Sequence, residues 1–236
     1  MINCILASTS TIYRGTYLDY LFPSLEELFL HTEEILFIPY ARPSGISYDD
    51  YTEIAAKAFQ KLGKHLLGIH TFQNPSKAVQ NAQGIFTGGG NSFVLVSELY
   101  QQNLIQPLQE VLKKGTPYLG TSAGSNIAGP SIRTSNDMPI VYPPSFDTLG
   151  IVPFNINPHY LDPDPTSKHK GETRETRIKE FHQFNDIPVV GLREGSWILV
   201  QNQQTTLMGD GLTARIFEKD KIPYEIEANT SLEYLK

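Results

Sequence analysis

YLGTSAGSNIAG, residues 118–129, begins as an apolar strand, turns through Gly120-Thr121-Ser122-Ala123-Gly124, and continues as a small-residue segment suited to the start of a helix. The spacing has a mechanical basis. A serine on a sharp strand-to-helix turn sits in strained backbone, and glycines two residues to either side let neighbouring chain approach where a Cβ would clash. The helix that follows offers unpaired N–H groups and a positive dipole end to a developing oxyanion. A plain strand-to-helix connection with serine as its cap has the same pattern, so the turn fixes the local fold more firmly than the chemistry.

Working outward, short β-branched runs precede it: INCILAS at 2–8, EILFIPY at 34–40, LLGIHTF at 66–72 and GIFTGGG at 84–90, with TPYLGTS at 116–122 leading into the turn. Their length fits fully buried strands. Helix-compatible stretches separate most of them. The clearest is 47–63, with Ser47 as N-cap, Ile54, Ala55, Ala58 and Phe59 at helical spacing and Gly63 as the stop. Strands alternating with helices predict an α/β fold, a mostly parallel central sheet with helices on both faces and the serine on a strand-turn-helix elbow.

Beyond residue 130 the texture changes. NDMPIVYPPSFDTLG at 136–150 and INPHYLDPDPTSKHKGE at 156–172 are too rich in proline for continuous helix, and the stretch 155–171 reads as a long loop that shapes a site. A helix is expected over 172 to about 184, and the remainder (VVGLREG, SWILVQN, TTLMG, ARIFEK) reads as short strands with hairpin turns. No linker divides the chain, so the 236 residues are expected to form a single α/β domain, 1–236.

Composition sets the outer bounds. Hydrophobic residues make up 40% and charged residues 19%, ordinary values for a soluble globular protein. The net charge of -6 comes without a basic run, which speaks against nucleic acid or an anionic membrane as partner. No signal or anchor pattern opens the chain, which favours the cytoplasm. Cys4, the sole cysteine, lies inside an apolar run and reads as a core residue. No HExxH or comparable ligand spacing occurs, so the histidines do not read as zinc ligands.

Several residues could serve Ser122. Gly88-Gly89-Gly90 follows the GIFT run, at the strand edge where open α/β sheets bind ligands. No Gly-Lys-Ser/Thr follows, so it fails as a nucleotide loop and fits either a second oxyanion donor or a tight turn. A base must come from the six histidines: His31, His65, His70 and His182 read as structural. His159, in Asn157-Pro158-His159 after the apolar run GIVPFNI, stands where a strand would emerge, with His169 as its rival. Glu194, after the strand VVGL, is placed to orient an imidazole, though taken without the other motifs an ion pair with Arg193 or a solvated turn residue would explain it better. In a lipase or esterase of the α/β-hydrolase type the acid precedes the histidine, the reverse of the order here.

Taken together, FTGGGNSF, YLGTSAGSNIAGPSIRTSNDMPIV, INPHY, HKGETRETRI and GLREGSW, in this order and spacing over roughly residues 80–200, resemble the peptidase E family of α-aspartyl dipeptidases. The resemblance implies a glutamine-amidotransferase-like fold, a Ser-His-Glu triad mapping onto Ser122, His159 and Glu194, no cofactor, and hydrolysis of small peptides with a free N-terminal aspartate. Carried onto this chain, Ala123 and the Gly89–Gly90 turn would hold the oxyanion. An arginine would suit the aspartyl carboxylate, with Arg174 the first choice, Arg133 and Arg177 alternates, and Asn91 a further substrate contact. Two departures from the family pattern are mild: Ser125 where alanine is usual, and Arg193 where proline is common, placed to lower the pKa of Glu194 or reshape the pocket entrance. The resemblance leaves two competitors: a cyanophycinase-like hydrolase of β-aspartyl peptides, and a non-catalytic binder of acidic peptides.

Overall fold

The structure, a computed structural model, describes every residue except Ser44, Pro165, Ser167, His169, Lys170 and Lys236. Five of the apolar runs form β1 (Cys4–Ala7), β2 (Glu34–Ile38), β3 (His65–Gly68), β4 (Ile85–Thr87) and β5 (Tyr118–Thr121). They lie parallel in the order β3-β2-β4-β5-β1. Two antiparallel strands extend this sheet beyond β1: β8 (Trp197–Gln201) and β9 (Gln204–Met208), joined by a tight turn in which Asn202 and Gln203 both have positive φ.

Alternation along the strands sends residues to opposite faces. Cys4, Leu6, Leu36 and Ile38 join one apolar cluster, while Ile5, Ala7, Ile35 and Phe37 join the other. The second cluster is covered by α1 (Phe22–Leu28) and α2 (Tyr48–Lys61) through Leu25, Leu28, Tyr51, Ala55 and Phe59. Ser47 caps α2 by accepting from the Asp50 N–H, as its sequence suggests, and Gly63 ends the turn beyond with a φ of +67°. The first cluster lies under α3 (Pro75–Gln80), α4 (Ser92–Gln101) and α5 (Ile105–Lys114). Cys4 is buried within it, and burial pushes its thiol pKa up, which keeps the thiolate away.

The expected short strands form in the C-terminal half, with β8 and β9 as one of the expected hairpins, but the others build a second sheet. β6 (Asn155–Pro158), β7 (Val189–Leu192), β10 (Thr213–Phe217) and β11 (Tyr224–Glu227) form a second sheet in the order β11-β10-β7-β6. The chain changes sheets between β7 and β8 through a turn at 193–196. Ile156, Val190, Leu192 and Ile216 belong to the same apolar cluster as the inner face of the first sheet, so one core binds the two sheets together. The expected loop therefore begins at 159, because 155–158 pairs in parallel with β7. The expected helix at 172–184 shortens to α7 (Arg174–Phe181), which Thr173 caps by accepting from the Thr176 N–H. No described helix is long and apolar enough to cross a membrane.

Candidate active site

Ser122 stands at the junction of β5 and a single helical turn, α6 (Ala123–Asn126). Its φ of 53° and ψ of -111° are strained for a residue with a Cβ, a conformation costing on the order of 1–3 kcal/mol that the surroundings must hold. They do so from several sides. The Ser122 N–H donates to the Ala7 carbonyl at 3.1 Å, and its own carbonyl accepts from the Ser125 and Asn126 N–H groups. The buried Ser125 hydroxyl lies 2.6 Å from the Ala7 oxygen and 2.8 Å from the Gly120 oxygen, tying the elbow to β1. A Cβ on Gly124 would run into the Thr87 carbonyl, which explains why the turn closes only with glycine there.

The β4 loop arrives beside it. A Cβ on Gly89 would sit 2.9 Å from the Ser122 Cβ, while one on Gly90 would strike the Ala41 carbonyl, so both glycines serve close approach. Ala123 opens α6, where N–H groups have no intrahelical acceptor.

His159 and Glu194 come from the second sheet. Pro158 and Leu192 are partners in the β6–β7 register, and the two side chains leave the strands just beyond them. His159 Nε2 lies 2.9 Å from Ser122 Oγ, and its Nδ1 lies 2.6 Å from Glu194 Oε1. With the proton on Nδ1 donated to Glu194, Nε2 is left to accept from the serine hydroxyl. His159 is itself at a φ of 53°. Its backbone N–H donates to the Ser8 hydroxyl at 2.8 Å, and that hydroxyl donates to the Leu192 carbonyl at 2.7 Å. Ser8 is fully buried at the end of β1, so one hydroxyl joins the ends of three strands. Nothing in the sequence marked Ser8 beyond its place at a strand end.

A cleft of about 270 Å³ opens over this array, lined by Ser122, Asn126, Asn136, Asp137, His159 and Arg174 among others. Arg174 Nη1 is buried with no hydrogen-bond partner among the described residues. Burial also draws its guanidinium pKa below the ordinary value, without threatening its charge. Opposite in character are Asn126 Oδ1, likewise buried and unpartnered, and the Asp137 carboxylate, whose Oδ2 accepts from the Ser92 N–H at 2.7 Å. Sequence reading missed both acceptors. Asn126 was detectable as the residue one helical turn after Ser122, whereas Asp137 sits in a loop whose course no local pattern sets.

Other expected site residues fall elsewhere. Asn91 caps α4, its Oδ1 accepting from Phe93 and Val94 and its Nδ2 donating to the Met138 carbonyl, so the amide is engaged by the fold. Arg133 is exposed, outside the cleft, and bonds Asn185. Arg177 is exposed beside Glu172. Arg193 turns from Glu194 toward the second sheet, where it pairs with both oxygens of Asp162 and of Glu225 and bonds Thr213. Its expected influence on Glu194 therefore gives way to a structural fork. His70 pairs with Asp49, and His182 bonds the Ile187 carbonyl. His169 lies outside the described residues. Among the described residues, no group of three or more His, Cys, Asp or Glu is placed to hold a metal ion.

Comparison with known proteins adds independent findings. The profile of peptidase family S51 matches residues 4–208. A Drosophila melanogaster protein named "Probable alpha-aspartyl dipeptidase" is 44% identical over 99% of the chain and 97% of its own length. "Peptidase E" of Streptomyces coelicolor is 45% identical, covering 99% of the chain and 94% of the relative. In fold, the crystal structure of a peptidase from an acI-B1 Actinobacterium superposes with a TM-score of 0.70 at 19% identity, covering 99% and 98% of the two chains.

Proposed function

The chain belongs to peptidase family S51, and from that premise we propose that it hydrolyses dipeptides with an N-terminal aspartate, using Ser122 as nucleophile, His159 as base and Glu194 as orienting acid. The observation that carries the reading is the unpaired, buried Nη1 of Arg174 in the same cleft as the Ser122–His159 pair. A buried donor on a permanent cation is costly to leave unmade, and an aspartyl carboxylate would complete it in bidentate fashion.

In this reading Ser122 Oγ attacks the peptide carbonyl while His159 Nε2 takes its proton and then gives it to the leaving amine. The ester formed on Ser122 is cleaved by water, activated by the same nitrogen, to release aspartate. Glu194 holds the Nδ1–H tautomer and stabilises the imidazolium. The oxyanion rests on the Ala123 N–H and one from the Gly89–Gly90 turn, each donor worth about 3–4 kcal/mol in the transition state. The free ammonium of the substrate requires acceptors, and Asp137 with Asn126 Oδ1 supplies them from the wall bounding the same cleft. The acidic chain with its lone buried cysteine fits a cytoplasmic role in small-peptide turnover.

Purified protein should release leucine from Asp-Leu and leave Asn-Leu and β-aspartyl-arginine nearly untouched, measured by amino-acid release. Preference for the β-linked peptide would make it cyanophycinase-like, and binding of Asp-Leu without turnover would make it a binder only.

Ser8 tests the array's support. Ser8→Ala leaves the partly buried His159 N–H without its acceptor, at about 1–3 kcal/mol, while the Leu192 carbonyl keeps the Tyr160 N–H as donor. Because the His159 backbone loses its anchor, kcat for Asp-Leu should fall roughly 10–100-fold with KM unchanged. A lowered melt with kcat intact would reduce Ser8 to a fold residue.

A further inference from the structure

Glu194 meets two different spaces. Its Oε1 faces His159, and the residue also walls a separate cavity of about 430 Å³ formed with Tyr13, Tyr20, Trp197, Asp210 and Leu212. The cleft over Ser122 shares none of these residues.

The walls select for charge. Three aromatic side chains and two carboxylates line it, and none of the described lining residues is basic. The rings are prearranged: Tyr20 and Trp197 pack edge to face with centroids 6.0 Å apart, and the Tyr20 hydroxyl donates to the Thr9 carbonyl at 2.6 Å. Burial, with the charge of Glu194 adding to it, pushes the Tyr20 hydroxyl pKa up, which keeps it a neutral donor. At the rim the Arg14 guanidinium already stacks on Tyr13, 5.1 Å from the ring centroid, an example within the chain of the contact these rings make. A small inorganic cation would lose its hydration against the aromatic and leucine walls, whereas an organic cation brings apolar surface to cover them.

We propose that this cavity is a second binding site, taking a primary amine or guanidine carried on an aromatic or aliphatic body, and that its occupant slows hydrolysis by drawing Glu194 away from protonated His159. Binding rests on the cavity alone. Inhibition rests in addition on the proposed role of Glu194.

Trp197 is the sole tryptophan of the chain, so its fluorescence reports the cavity directly. Titration with benzylamine should give a saturable change, and benzyl alcohol, of the same shape without charge, should bind at least about tenfold more weakly. Asp210→Asn and Tyr13→Ala should each weaken benzylamine roughly 3–10-fold while leaving uninhibited kcat and KM for Asp-Leu unchanged. Benzylamine should lower kcat rather than raise KM. A non-saturating fluorescence response, or equal affinity for amine and alcohol, would overturn the site. Purely competitive inhibition that Asp210→Asn does not relieve would also overturn it, placing the amine in the substrate cleft. Saturable binding in protein that hydrolyses no Asp-Leu would leave the site standing and sink the catalytic reading instead.

Discussion

Ser122→Ala lowers kcat for Asp-Leu by about 10⁴–10⁶-fold, the loss seen when the nucleophile of a serine peptidase is removed. The residual rate reflects the oxyanion donors and the bound geometry, which the change leaves in place. Stability should move little, within about 1 kcal/mol, because among the described residues the hydroxyl bonds His159 alone while the backbone bonds holding the elbow persist. Alanine carries the same Cβ into the same φ of 53°, so no strain is relieved. Steady-state kinetics and a thermal melt on one preparation check both parts. Activity within tenfold of the parent would mean that another group attacks, and the mechanism would have to be rebuilt around it.

Arg174→Ala should fall nearly as hard, and selectively. Two charge-assisted hydrogen bonds to an aspartyl carboxylate are worth about 1.5–3 kcal/mol each, so kcat/KM for Asp-Leu should drop roughly 10²–10⁴-fold. Any trace hydrolysis of Asn-Leu should change far less, since a neutral amide gains little from the cation. Arg174→Lys should recover only part of the loss, because a point charge cannot reproduce the planar fork. An equal loss on both substrates would show that Arg174 supports the cleft's shape rather than reading the substrate.

Much of this array was legible in the sequence, for a physical reason. In an open parallel sheet, function gathers at strand ends, and strand ends are marked by apolar runs breaking into glycine or polar residues. Ser122, Gly89, His159 and Glu194 all carry that mark. Pairing between strands is a different matter. The runs at 189–192 and 197–201 are alike in periodicity, yet a short turn sends them to different sheets. That choice depends on which distant strand each one meets. Side-chain reach was equally hidden: Arg133, Arg174 and Arg177 are equivalent as letters, but only Arg174 is carried into the cleft by the cap and first turn of α7. The use of Asn91 as a helix cap was hidden because the same amide that could bind a substrate also caps a helix well. Ser8 could not be found at all, since its worth lies wholly in contacts more than 150 residues away in sequence, such as that to His159.

The array is assembled from two unequal couplings. His159 and Glu194 leave neighbouring strands of one sheet, so their separation is governed by ladder hydrogen bonds that hold Pro158 level with Leu192. Ser122 belongs to the other sheet, and its distance to His159 is governed by how two bodies seat on a shared apolar cluster, with Ser8 as the polar latch between them. The acid–base couple is thus built like a single machined part, and the nucleophile is mated to it across a joint. Sequence drift in that joint, among residues such as Leu6, Ile127, Ile156 and Leu192 that no substrate touches, becomes a means by which selection can adjust the proton-transfer gap without altering any reacting group.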